Sequence, residues 1–302
     1  MATFLRWRGE IIPSLAHRHM DNISRRTLLA SAMGCAASSA LRAGRRAQFK
    51  IGVPDWSLAL GANPDAIGFA KKLGFDGVQI SFGRLLVNGK LPLDNPDLIA
   101  RYLQLSAQNN IPIDGTCVDR LHMDVLKSDK AAVRWVSDSI RLTKALNTQV
   151  LLLPFFGRGA LKTRAEMDYV ADALRELGPE ASKAGVILGL EDTISAIDNV
   201  SIMERSKSDA VKVYYDVGNT SAAGFDPISE IRWLGRDRIC QIHLKDTGEW
   251  LGEGVIRYPP LIRAIQDIRF TGYANIEMNS KPGQLEADMK KNLAYVRDLE
   301  NS

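Results

Sequence analysis

The sequence predicts a single (β/α)8 TIM barrel preceded by an N-terminal signal segment. Three observations carry that fold class. From residue 50 onward, eight short apolar runs alternate with amphipathic ones, and eight strand–helix units in about 250 residues is the count of a closed barrel. Several runs, such as "VLLLPFF" (150–156), are apolar throughout, as strands of a helix-covered parallel sheet are. The first run is followed by "ALGANP" and not by the G-x-G-x-x-G turn that opens a dinucleotide-binding, doubly wound sheet.

The strand-like runs are "KIGVPDWSL" (50–58), "FDGVQISF" (75–82), "IPIDGTCV" (111–118), "QVLLLPFF" (149–156), "VILGLEDT" (186–193), "VKVYYDVGN" (211–219), "ICQIHLKD" (239–246) and "GYANIEMN" (272–279). Between them lie apolar residues at helical spacing over 63–74, 95–110, 131–147, 165–185, 196–206, 227–235, 259–268 and 284–299. The first of these helices reads as capped by Asn63 and stopped by Gly74. Composition shows no sharp break, so one barrel domain is expected over residues 48–302.

The first 43 residues read differently. Arg25 and Arg26 precede a small, apolar stretch from Leu28 to Leu41, the plan of an export signal with a charged start and a small-residue cleavage zone. The paired arginines resemble the twin-arginine signal, so the twin-arginine translocation machinery is an expected partner and the periplasm the expected location, with a membrane tether if the leader is retained. Met20 offers an alternative start that would give a shorter charged region, and on that start residues 1–19 would be an over-extended beginning. Residues 1–50 hold nine Lys/Arg against Glu10 and Asp21, whereas the rest of the chain is slightly acidic. The net charge of +4 therefore belongs to the leader, and no nucleic-acid partner is expected. Cys117 and Cys240, the cysteines beyond the leader, read as buried thiols. No motif specifies an oligomeric state.

In a barrel of this kind, chemistry gathers at the C-terminal ends of the strands. The fifth to eighth runs bring Glu191, Asp216, His243 and Glu277 there, ending "ILGLE", "VYYD", "CQIH" and "ANIE". Three carboxylates buried together cost several kcal/mol per uncompensated ion, and a shared cation removes that cost. Three oxygen donors and one imidazole suit one divalent metal ion: Mn²⁺, Mg²⁺, Co²⁺ or Zn²⁺.

In order and spacing, "YYDVGN", "IHLKD", "LGEG" and "IEMN" resemble the sugar phosphate isomerase/epimerase superfamily, the xylose isomerase-like barrels, from about residue 50 to the end. "AKKLGFDGVQIS" matches the usual second-strand phrase, with Gln79 where the family often has Glu. The resemblance implies that Glu191, Asp216, His243 and Glu277 hold the metal and that Glu191 and Glu277 face each other across a carbohydrate substrate as acid and base. Two positions depart from the ketose 3-epimerase branch: Asn219 stands where that branch has His, and Asp192 where Asn is usual. The endonuclease-IV-like relatives need more histidines than His122 and His243, the two beyond residue 50.

The implied chemistry is removal of the proton alpha to a sugar carbonyl through an enediolate. Return of the proton to the opposite face gives an epimer, and to the neighbouring carbon an isomer. Loss of a β-oxygen makes the same site a keto-glycoside lyase or dehydratase. A metal-dependent hydrolase and a non-catalytic sugar-binding barrel are the readings from other classes. An exported enzyme meets free sugars, keto-sugars or glycosides. Lys245, Asp192, Asn219, Trp56 and His122 are the further candidates for substrate contact, and Asp246 reads as lining the same mouth.

Overall fold

The computed structural model describes residues 48–247 and 250–302; the expected signal segment lies outside the described residues. Eight strands form a closed parallel barrel in sequence order. They are β1 (Lys50–Pro54), β2 (Gly77–Ser81), β3 (Ile113–Cys117), β4 (Val150–Pro154), β5 (Ile187–Glu191), β6 (Val211–Asp216), β7 (Ile239–Leu244) and β8 (Tyr273–Ile276). The closing pair sets Gly52 of β1 against Asn275 of β8. The α-helices are α1 (Ala66–Leu73), α2 (Pro96–Asn109), α3 (Lys130–Ala145), α4 (Arg164–Ala184), α5 (Ala196–Ser206), α6 (Val217–Ala222), α7 (Pro227–Leu234), α8 (Tyr258–Asp267) and α9 (Leu285–Glu300). None of the described helices is long and apolar enough to cross a membrane.

The strands are shorter than the apolar runs, and side-chain hydrogen bonds show why. After β1 the chain enters a 3₁₀ segment, Asp55–Leu58, and the carboxylate of Asp55 ties the turn that follows to β2 by accepting from the N–H groups of Ala62 (2.9 Å) and Ser81 (3.0 Å). After β6, Oδ1 of Asp216 accepts from the N–H groups of Gly218 (2.7 Å) and Asn219 (2.8 Å). That caps α6, because a carboxylate satisfies amides that have no partner in the first helical turn. The expected cap of α1 shifts: Asp65 occupies the N-cap position, and Asn63 accepts from Asp65 N (3.0 Å) in a turn ahead of the helix.

Period-two alternation divides the strands between two cores. One set of strand residues, among them Val53, Ile80, Leu153, Leu190, Val213 and Leu244, belongs to the large apolar cluster shared with the helices. The alternate set faces the barrel axis, where Cys117, Leu152 and Tyr214 form a small cluster. Gln79, Asp114, Gln241 and Asn275 sit among them, buried and linked by hydrogen bonds. Cys117 and Cys240 are free thiols, and Cys240 is only partly buried.

Candidate metal centre

Alternation along neighbouring strands brings four donors to one end of the axis. Glu191 and Asp216 end β5 and β6, His243 is the last inward residue of β7 and pairs in register with Asp216, and Glu277 follows β8. One donor atom from each of these four lies within 4.8 Å of all the others. His243, Asp216 and Glu191 are 0%, 3% and 4% exposed, so bulk water does not neutralise the cluster.

His243 is the hub. Its Nδ1 lies 2.7 Å from Glu191 Oε1, 3.7 Å from Glu277 Oε2 and 3.9 Å from Asp216 Oδ2. Its Nε2 lies 2.9 Å from Gln79 Oε1. Lys245 extends over the cluster, donating to Glu277 Oε2 at 2.8 Å and reaching Asp216 Oδ2 at 3.8 Å. The other oxygen of Glu277 accepts from the indole Nε1 of Trp56 at 2.8 Å.

These contacts set the charges. Burial alone would lower the imidazole of His243, but Glu191, Glu277 and Asp216 outweigh it and raise the group to about 9. Burial likewise opposes ionisation of Glu277, yet His243 and Lys245 hold that carboxyl down at about 2. Asp216 stands well above the usual carboxylate range through burial and its neighbours Glu277 and Glu191.

The donor set fits a divalent ion. Asp216 Oδ2 is buried with no hydrogen-bond partner, an acceptor that an ion would satisfy. An octahedral ion with bonds of about 2.1 Å holds its donors within about 4.2 Å of one another, so a small contraction of the 4.8 Å cluster suffices. Binding needs a neutral imidazole, whereas a group raised to about 9 carries its extra proton at neutral pH. Metal binding is therefore expected to release at least one proton. Affinity should rise about tenfold or more per pH unit and level off above about 9. Calorimetric titration in buffers of different ionisation enthalpy counts the protons, and binding without proton release would contradict this assignment.

A cavity of about 270 Å³ opens above the cluster, lined by Glu191, Glu277, Lys245, Asn219, Trp56 and His122, with Cys117, Pro154, Phe156, Arg84 and Asp119 completing its wall. The rings of His122 and Phe156 stack at 6.5 Å. Burial and the nearby Arg84 lower the His122 imidazole, which favours its neutral form. Asp192 stands apart: its Oδ1 accepts from Ile194 N and Asn199 Nδ2, both at 3.0 Å. Asp246 also differs from the expectation of a mouth residue. Its buried carboxylate accepts five N–H groups, from Thr247, Gly252, Gly254, Val255 and Ile256. Alternation is the signal for both: Glu191 and Lys245 turn inward, so the residues that follow them turn outward. Arg84 and Asp119 carry no motif that sequence reasoning could have used to place them at the site, and Gln79 was marked only as a departure from the family's second-strand phrase.

A family model described as the xylose isomerase-like TIM barrel matches residues 67–299. The chain belongs to this family. Among its xylose isomerase-like relatives, a 2-epi-5-epi-valiolone 7-phosphate 2-epimerase of Actinoplanes sp. is 26% identical over 201 residues, 65% of this chain and 72% of that protein. The fold is shared with D-psicose 3-epimerase of Clostridium cellulolyticum H10, solved with D-tagatose (TM-score 0.71, 16% identity, 84% of this chain and 100% of that one). It is also shared with a 3-keto-D-glucoside 4-epimerase of E. coli (TM-score 0.67, 16% identity, 83% of this chain and 100% of that one).

Proposed function

We propose that the protein is a divalent-metal-dependent sugar epimerase or isomerase, acting on a free sugar, keto-sugar or glycoside by proton transfer alpha to a carbonyl. The observation that carries this reading is the convergence of Glu191, Asp216, His243 and Glu277, with donor atoms within 4.8 Å, two of which, Glu191 and Glu277, line an open cavity. The relatives, named as epimerases of cyclitol and sugar substrates, support the same class. At about 270 Å³ the cavity lies at the small end for ligand pockets, which suits one sugar ring better than an oligosaccharide.

Glu191, Asp216, His243 and Glu277 would hold the ion, which when bound supplies Lewis-acid polarisation of the substrate carbonyl. The chain supplies the proton chemistry. Glu191 ends β5 and Glu277 follows β8, with the cavity above both, so one can take the alpha proton and the other can return it to the opposite face. The indole of Trp56 fixes the Glu277 carboxylate by its 2.8 Å hydrogen bond. Lys245, partly exposed at the cavity wall, is placed to donate to a substrate oxygen as negative charge develops there. Export to the periplasm through the twin-arginine route is part of the same proposal and favours substrates without phosphate.

The test is proton exchange in D₂O. Mn²⁺-loaded protein is expected to wash deuterium into the carbon alpha to the carbonyl of at least one member of a panel of ketoses and 3-keto-glycosides. Chelation should stop the exchange and re-addition of metal restore it. Exchange that is indifferent to chelation would refute the metal-dependent mechanism, and hydrolysis of a panel member without exchange would move the protein to another reaction class.

A further inference from the structure

Beneath the metal ligands, a chain of buried hydrogen bonds runs down the barrel axis, and the donor at each step is set by the one before. At the lower end, Oδ1 of Asp114 accepts from Gln241 Nε2 (3.0 Å) and Asn275 Nδ2 (3.1 Å). That turns the nitrogen of the Asn275 amide toward Asp114. The remaining Asn275 N–H is shared between Tyr214 Oη and Gln79 Oε1, each at 3.4 Å. Because Tyr214 Oη accepts there, its own hydrogen goes to Gln79 Oε1 at 3.1 Å. The Gln79 oxygen is thereby fixed as the acceptor that faces His243 Nε2 at 2.9 Å. An acceptor at that place requires a proton on Nε2, and the neutral imidazole then presents its lone pair on Nδ1, the nitrogen that faces Glu191, Asp216 and Glu277.

From this sequence of contacts we infer that Gln79, oriented by Tyr214, Asn275 and Asp114, is a positioning residue that selects the metal-binding tautomer of His243. The inference rests on the metal-centre reading above and deepens it. Reversing the Gln79 amide would set its NH₂ group against Nε2 and leave the proton of the neutral ring on Nδ1, where a metal ligand needs a lone pair. In the observed orientation three donors converge on Oε1, while Nε2 of Gln79 is buried without a partner. Three satisfied contacts at Oε1 outweigh the unpartnered NH₂, whose two N–H groups cost about 1–3 kcal/mol each. The backbone makes room for the column at Gly52: a Cβ there would stand 2.1 Å from Asn275 Oδ1 and 2.2 Å from Asp114 Oδ2.

Three full-length variants test the assignment, each checked for an unchanged fold by circular dichroism. Gln79→Met keeps the side-chain length and removes the acceptor. Gln79→Glu keeps the acceptor, and Tyr214→Phe keeps the ring but removes the hydroxyl that orients the amide. Gln79→Met is expected to weaken Zn²⁺ or Mn²⁺ binding about 10–100-fold, measured by competition with a chelating dye. Gln79→Glu should restore binding to about the wild-type level or better, and Tyr214→Phe should fall between the two. Nitrogen-15 NMR of the Zn²⁺-loaded wild type should show the His243 ring proton on Nε2. Unimpaired binding by Gln79→Met, equal losses in Gln79→Met and Gln79→Glu, or a ring proton on Nδ1 would overturn the assignment. Failure of the wild type itself to bind any divalent ion would instead overturn the metal reading.

Discussion

Glu277→Gln is expected to slow inversion at the alpha carbon by about 10²–10⁴-fold, the usual contribution of a positioned general base, with the metal still bound. The substitution is nearly isosteric. Its single amide oxygen fills one of the two places the carboxylate holds: turned toward the donors it remains a neutral metal ligand and gives up the hydrogen bond from Trp56 Nε1, and the ion pair with Lys245 at 2.8 Å is lost. In the metal-free protein His243 and Lys245 hold Glu277 at about 2, and Lys245 still favours the carboxylate form that a base needs once the imidazole is neutral. Comparison with Glu191→Gln then assigns the faces. The variant that keeps the first base still exchanges the proton of one epimer but does not invert the carbon. The variant that lacks that base does neither. Proton NMR in D₂O reads both quantities, and a metal-loaded Glu277→Gln protein that inverts its substrate at the wild-type rate would remove Glu277 from the mechanism.

The second large effect is expected at a residue outside the cavity. Asp246→Ala removes the common acceptor of five N–H groups at distances of 2.8–3.4 Å. An unsatisfied buried N–H costs about 1–3 kcal/mol, but the connection between β7 and α8 can open and rehydrate part of its backbone. A net loss of about 3–5 kcal/mol follows, the range for breaking a buried charged network. The damage should spread to Lys245, whose carbonyl is anchored by the Tyr258 hydroxyl at 3.1 Å beside the same connection. Thermal unfolding and limited proteolysis of the segment after Thr247 provide the measurements. Gly254→Ala should act in the same direction, since a Cβ there would stand 2.0 Å from Asp246 Oδ1. An Asp246→Ala protein as stable and as protease-resistant as the wild type would show that the loop holds itself.

The barrel and three of the donor positions were legible because each apolar run ends on a polar residue at the rim: Glu191, Asp216 and His243. Glu277 was legible in the same way, although β8 stops one residue earlier, at Ile276. What proved harder to read was the direction of a side chain just past a strand end. Lys245 and Asp246 are adjacent in sequence, yet one reaches the donors and the other clamps a loop behind them. Gln79 was legible as a departure from the family's second-strand phrase but its partner was not; His243 lies 164 residues away and only barrel closure brings the two together. The caps of short helices were blurred for a local reason. Asn63 and Asp65 both favour turns, and the backbone seats Asp65 at the cap while Asn63 builds the preceding turn.

The hydrogen bond from Trp56 to Glu277 joins residues 221 positions apart, across the seam where β8 meets β1. Contacts so distant in sequence close late, because the entropy of the intervening chain must be overcome first. A folding chain can therefore assemble β5, β6 and β7, with Glu191, Asp216 and His243 already together, while Glu277 and the indole that aims it are still apart. In that order of assembly three of the four candidate donors meet before Glu277 arrives, so the opposed carboxylates of the proposed mechanism would face each other only once the last strand docks.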